Sequence, residues 1–216
     1  MFADDTTLFK THENIELIFE TLKKELVIVI DWFRANKLSV NLAKTNYVVF
    51  KPKTMVLNLD SITLNIDDEE IKREDVTKFL GLFVDANLNW NVHLKKIHPK
   101  LSQSLYLLRS MKNTVPKFAM RNLYYAHFHS HLNYGMILWG PMCIKSNLKK
   151  LTVLQNKALR AIDNQSYNSP TGPICKKYNV VKVNDLIDIE LSKMSYQISQ
   201  NSLPSPIQDL FKKGRD

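Results

Sequence analysis

The sequence predicts an α+β protein in which short strands gathered around one helix come first and a helical bundle follows. Two observations lead there. The spacing of apolar residues changes near Trp90, from alternation in runs of four to six to recurrence at three and four, and charge is divided unevenly along the chain. With 216 residues, 44% hydrophobic and 24% charged, and only 5 Gly and 8 Pro, the composition is that of a folded protein with a sizeable core, and it excludes a disordered or fibrous chain. No run approaches the roughly 18 apolar residues of a membrane span, and acidic residues stand where a signal peptide would be basic and then apolar. No membrane partner and an intracellular location are therefore expected, with nucleus or cytoplasm undecided. Cys143 and Cys175 lack partners at metal spacing and are expected to be reduced thiols.

The first stretch, Phe2-Ala3-Asp4-Asp5-Thr6-Thr7, reads as strand, acidic turn, strand. Adjacent carboxylates at a turn repel unless solvated or bridged by a divalent cation, so the pair fits either an open turn or a magnesium site. Thr11 or Asn14 can cap a helix whose apolar residues, from Ile15 through Phe19, Leu22, Leu26 and Ile30 to Phe33, form one face. Asn36 and Lys37 break it. Leu38 to Leu42 alternates as a strand, Lys44-Thr45 makes a turn, and Tyr47 to Phe50 forms the next run. Residues 56–59 and 62–66 read as strands followed by an acidic turn, Asp67-Asp68-Glu69-Glu70, which is expected to be solvated. Val76 to Val84 reads as one strand with Gly81 inside it, where a glycine calls for the close approach of another backbone.

From Trp90 onward Leu94, Ile97, Leu101, Leu105 and Leu108 step at helical spacing, with Asn91 as cap and Pro99 as an irregularity. Pro116 opens a second helix and Gly135 closes it. Ser146 caps a third, buried along Leu148, Leu151, Leu154, Ala158, Ala161 and Ile162. His127 and His131 stand four apart, yet no helical carboxylate or thiol completes a metal set. Pro170 to Pro173 makes a break, residues 180–183 an extended piece, and Asn184 caps a last amphipathic helix carrying Leu186, Ile189, Met194 and Ile198. The end of the chain is expected to be loose.

Net charge is +9, but between Asn91 and Lys177 there are 14 Lys and Arg against one acid, Asp163, while the remainder holds 16 basic and 20 acidic residues. A basic surface with so little compensation points to a polyanionic partner. Lys95, Lys96, Lys100, Arg109, Lys112, Lys149, Lys150, Lys157 and Arg160 are the candidate phosphate contacts.

Taken in order, the motifs resemble the reverse transcriptases of non-LTR retrotransposons, specifically the jockey-like lineage. Phe2-Ala3-Asp4-Asp5-Thr6 looks like that family's acidic hairpin. Asp31-Trp32-Phe33, Asn36 to Asn41 and Lys44-Thr45 match its next palm segment, and Phe79-Leu80-Gly81-Leu82 with Asp85, Leu88 and Trp90 is similar to the primer-grip strand. Leu123-Tyr124-Tyr125, Leu132-Asn133-Tyr134-Gly135, Trp139-Gly140, Leu154-Gln155 and Lys157 to Arg160 look like the thumb and the region after it. The resemblance implies RNA-directed DNA polymerisation with two magnesium ions. In it Asp4 and Asp5 hold metal and act in catalysis, Lys44 stands near the incoming deoxynucleoside triphosphate, and Phe79, Leu80 and Gly81 grip the primer.

It further implies a domain order of partial palm, antiparallel strands plus a helix with the primer grip, over 1–90, basic helical thumb over 91–165, and a C-terminal connection with one amphipathic helix and a loose tail over 166–216. RNA template and DNA primer would be held by their phosphates. The family's palm begins well upstream of the acidic hairpin, with fingers and a first metal-binding aspartate that nothing before Phe2 supplies. An N-terminally truncated fragment that does not polymerise alone is therefore expected, with an open palm edge inviting self-association. The rival expectations are a non-catalytic nucleic-acid-binding module and the functionless product of a decayed insertion.

Overall fold

The computed structural model describes residues 6–52, 54–55 and 62–212. The acidic turn with Asp4 and Asp5, the strand expected over 56–59 and residues 213–216 lie outside the described residues. The chain divides into two compact units, one of Met1–Leu80 with Val84–Leu88 and one of Gly81–Phe83 with Asn89–Asp216.

In the first unit, helix α1 spans Ile15–Ala35. It starts where the Asn14 side chain accepts the Glu16 N–H at 2.8 Å, a cap commonly worth about 1 kcal/mol. It stops at Asn36 and Lys37, the latter in the left-handed region at φ 59°. Phe19 and Ile30 are buried with Leu64, Ile66 and Ile71, and Leu22, Leu26 and Phe33 pack against them, so the stripe expected from the sequence is the buried face. The opposite face keeps Val27, Ile28 and Trp32 exposed.

The strands here are shorter than expected. Leu38 to Leu42 forms none. Instead the Asn41 carbonyl accepts the Lys44 N–H, the Thr45 N–H and the Thr45 hydroxyl, folding Leu42–Lys44 into a 3-10 turn. Such local bonds compete with a ladder that has no partner. The strands that do form are β1 (Asn46–Tyr47), β2 (Asn65–Ile66), β3 (Glu69–Glu70) and β4 (Lys72–Arg73). β2 and β3 pair antiparallel about Asp67-Asp68, with Asp67 at φ 55°, and Asp67 pairs with Arg34 at the surface. β1 and β4 pair parallel, where antiparallel pairing is expected. The single strand expected over 76–84 is a hairpin of β5 (Val76–Phe79) and β6 (Leu82–Asp85). Leu80 at φ 45° and Gly81 at φ 86° make its turn, the two positive angles that a tight hairpin favours.

The second unit is helical. Helix α2 covers Asn91–Met111 and runs through Pro99. Its cap differs from expectation: Trp90 stands at φ 61° and the Asn89 side chain accepts the Asn91 N–H at 2.9 Å. Trp90, Leu94, Ile97, Leu101, Leu105 and Leu108 are all buried, as their spacing implies. After Pro116 come α3 (Lys117–Leu123), a π-helical segment at Tyr124–His129, and α4 (Ser130–Asn133). A wider turn inside a helix leaves backbone groups to be satisfied from outside. Ser104 of α2 donates to the His127 carbonyl at 3.0 Å.

Helix α5 spans Met136–Trp139, and α6 covers Lys145–Ile162, starting at Ile144 without the expected Ser146 cap. Helix α7 (Thr171–Tyr178) contains Pro173, where a break is expected; proline is harmless there because the first turn has no N–H partners to lose. Helix α8 (Val183–Ser199) buries only its start, at Val183, Leu186 and Ile187. Helix α9 (Ser205–Lys212) stands where a loose end is expected.

Gln155 ties this unit together. Fully buried, its amide nitrogen donates to the Tyr124 hydroxyl at 3.0 Å and the Val181 carbonyl at 2.9 Å, and its oxygen accepts the Val183 N–H at 3.0 Å. One side chain thereby joins the π segment, α6 and the start of α8. Among the described residues no helix is long and apolar enough to cross a membrane.

Candidate nucleic-acid interface

Helices α2 and α6 lie against each other and are joined at both ends. Asn147 donates to Asn91 at 3.1 Å near their starts, and Asn164 donates to Asn113 at 3.3 Å just past their ends. Start meets start and end meets end, so the two helices run parallel. That register brings Arg109 and Lys112 from the end of α2 beside Lys157 and Arg160 from the end of α6. With Ala161, Gln165 and Tyr167 they line a pocket of about 210 Å³.

Electrostatically the pocket is cationic, with four cations and no acid among its lining residues. Arg160 is fixed: its Nε donates to the Ser169 carbonyl at 2.8 Å, and its guanidinium lies 5.8 Å from the centre of the Tyr167 ring. Among the described residues Arg109, Lys112 and Lys157 have no carboxylate partner. The one acid of the stretch, Asp163, is buried and bonded to Lys177, to the Tyr178 hydroxyl at 2.9 Å and, through its other oxygen, to the pocket-lining Gln165 at 3.3 Å. Burial pushes its carboxyl up, but the bonds from Lys177 and Tyr178 outweigh that and hold it below the usual carboxylate range.

The remaining candidate cations sit elsewhere on the same helices. Lys95, Lys96 and Lys100 are exposed on the first half of α2, Lys96 lying 5.7 Å from the Phe83 ring centre. Lys149 and Lys150 are exposed near the start of α6. At 1.5 Å of rise per residue Lys149 and Lys150 stand roughly 11–12 Å from Lys157, and Lys95, Lys96 and Lys100 roughly 13–21 Å from Arg109, along their helix axes, a spacing suited to a long polyanion more than to a small anion. The spacing of the sequence could reveal the cations but not Gln165 or Tyr167, which come after the helix in a polar loop. The one signal for them was an aromatic residue close behind a basic helical end.

The primer-grip candidates are structured by their own turn. Phe79 is 44% exposed, while a Cβ on Gly81 would stand 3.3 Å from the Tyr134 ring. What approaches Gly81 is thus an aromatic side chain, not a backbone. Next to it, a Cβ on Gly135 would meet Leu82 at 2.8 Å, so two motifs about fifty residues apart in sequence interlock at their glycines. His93 braces the same place. Its Nδ1 accepts the Phe83 N–H at 3.3 Å and its ring lies about 6 Å from those of Trp90 and Trp139, and burial pushes its pKa down to about 4.

Lys44 is exposed at the end of its 3-10 turn. His127 and His131 are exposed, whereas His129 turns toward the rings of Tyr124 and Tyr125. Among the described residues no three His, Cys, Asp or Glu are grouped to hold a metal ion. The residues that would carry magnesium, Asp4 and Asp5, lie outside them.

Compared with known proteins, the chain is 27% identical to a probable RNA-directed DNA polymerase from transposon BS of Drosophila melanogaster, over 99% of this chain and 24% of that protein. It is 24% identical to a probable RNA-directed DNA polymerase from transposon X-element of the same fly, over 61% of this chain and 14% of that protein. The chain thus spans about a quarter or less of the length of these relatives. No protein-family model matches it, and no solved structure does. Over nearly all of its residues, then, the chain is similar to part of an RNA-directed DNA polymerase of a transposon.

Proposed function

We propose that this chain supplies the part of a reverse transcriptase that holds template and primer. In this reading α1 and the strand pairs are the last part of the palm and the helical unit is the thumb with its C-terminal connection. The observation that carries it is the gathering of Arg109, Lys112, Lys157 and Arg160 on parallel helices, with the region's one acid turned into an internal ion pair. Cations so placed gain from neutralising phosphates without reading sequence.

Asp4 and Asp5 would hold magnesium, which activates the primer hydroxyl and steadies the leaving pyrophosphate. Lys44 would stand near the triphosphate, and Phe79, Leu80 and Gly81 beside the primer end. The share of the reaction assigned to this chain is binding, because the basic cluster supports binding. A non-catalytic nucleic-acid-binding role keeps the same interface and dispenses with the carboxylates.

Binding of labelled duplex DNA by fluorescence anisotropy across a salt series tests the reading. The logarithm of affinity should fall linearly with the logarithm of salt, and replacing Lys149 and Lys150 by Gln should flatten the slope by about 0.9 for each phosphate no longer neutralised. Affinity indifferent to salt would overturn it. Primer extension on poly-rA with magnesium separates the two roles: template-dependent incorporation abolished by Asp4→Asn would show complete catalysis in this chain.

A further inference from the structure

The pocket at the ends of α2 and α6 differs from the rest of the basic surface in being concave and in having an aromatic wall. Tyr167 is 71% exposed, with its ring beside the cations. A hydrophobic ring left in water next to a guanidinium, itself anchored by the Ser169 carbonyl, forms a flat platform with charge along one side. A duplex keeps the faces of its bases stacked inside, so a protruding ring gains little from it, and a cavity of about 210 Å³ is far too small to admit one. An unpaired nucleotide offers both an open base face and a phosphate one sugar away.

We propose that this pocket captures a single unpaired nucleotide of a nucleic-acid strand, its base stacked on Tyr167 and its phosphate held by Arg109, Lys112 and Lys157. The inference rests on the nucleic-acid reading above and narrows it to single-stranded nucleic acid, such as a template beyond the duplex. Stacking on an exposed aromatic is tolerant of sequence, since every base has a π face, and Arg160 stiffens the ring by its cation–π contact. The chemistry commits the site to a strand, because the basic helices beside the pocket continue along the path that neighbouring phosphates would follow.

The test titrates the whole chain with a short labelled oligothymidylate and, separately, with a blunt duplex. Tyr167→Ala should weaken oligothymidylate binding roughly 5- to 150-fold, the range found for removing one stacking partner, and move duplex affinity far less. Tyr167→Phe should restore binding, and Tyr196→Ala, an exposed tyrosine on α8 outside the pocket, should leave it unchanged. Replacing Arg109 and Lys112 by Gln should flatten the single-strand salt slope by about 0.7 for each phosphate no longer neutralised. Equal losses for both ligands, or no loss with Tyr167→Ala while the duplex still binds with a steep salt slope, overturn the single-strand site and leave the wider interface standing. Failure of the unmodified chain to bind either ligand overturns both.

Discussion

Gln155 concentrates more of the helical unit's specificity than any apolar residue near it, because two of its three hydrogen bonds, to the Tyr124 hydroxyl and the Val183 N–H, lie in the buried interior and the third is half-buried. Replacing it by Leu keeps the volume but strands the Tyr124 hydroxyl, the Val181 carbonyl and the Val183 N–H. Unsatisfied buried groups cost about 1–3 kcal/mol each, and partial relaxation should bring the total to about 2–4 kcal/mol. Chemical denaturation of Gln155→Leu measures it, with Tyr124→Phe, which removes one bond only, expected to lose much less. A Gln155→Leu variant as stable as the parent would refute the tie. The sequence marks Gln155 as part of a motif of the resemblance, Leu154-Gln155, but nothing in a helical period reveals that three partners from separate elements converge on it.

Among elements, the helices were legible and the connections were not. The apolar stripes of α1, α2 and α6 set their buried faces because burial at a fixed period leaves a fixed pattern. The strand expected over 38–42 failed because alternation specifies a face without specifying a partner, and α7 was hidden because Pro173 reads as a breaker unless its place in the first turn is known. Glycines divide in the same way. Gly135 stands at φ 63° with Leu82 where a side chain would go, whereas Gly172, inside α7, has nothing within 4 Å of its missing Cβ. Gly135→Ala should therefore destabilise by about 2 kcal/mol, through left-handed strain and the collision with Leu82. Gly172→Ala should stabilise by up to about 1 kcal/mol by favouring the helix. Thermal melting of the two variants should shift in opposite directions, and a shift of the same sign in both would contradict the geometry.

For the whole molecule, stability against acid should fall in two stages with different owners. The imidazole of His93 is held neutral, with its pKa lowered from 6.5 to about 4. Its contribution is fully present above 6.5 and lost as pH falls toward 4, where the unfolded chain binds a proton the folded one resists. A shift of this size is worth at most ~3 kcal/mol. Asp163, held below its ordinary value, then gives up its share as pH falls further, through its folded pKa. Denaturation midpoints between pH 4 and 7 should slope upward with pH, and His93→Gln should reduce that slope, with His129 and His131, also lowered by burial, keeping the rest; an unchanged slope would reassign it. At this scale the charge division was fully legible, since counting residues is enough. The interface was half legible: no pattern of residues within either helix says that α2 and α6 run in the same direction, on which the meeting of four cations depends.

That shared direction also sets the field in which the cluster stands. Aligned peptide dipoles leave roughly half a negative charge at the end of each helix, and parallel packing places both ends beside Arg109, Lys112, Lys157 and Arg160. The helix ends offset about one of the four positive charges, so the cations repel one another less while the site stands empty. An arriving phosphate still meets a net charge of about +3. Reversing either helix would have carried two of the cations to the far end and brought a positive terminus beside the two that stayed.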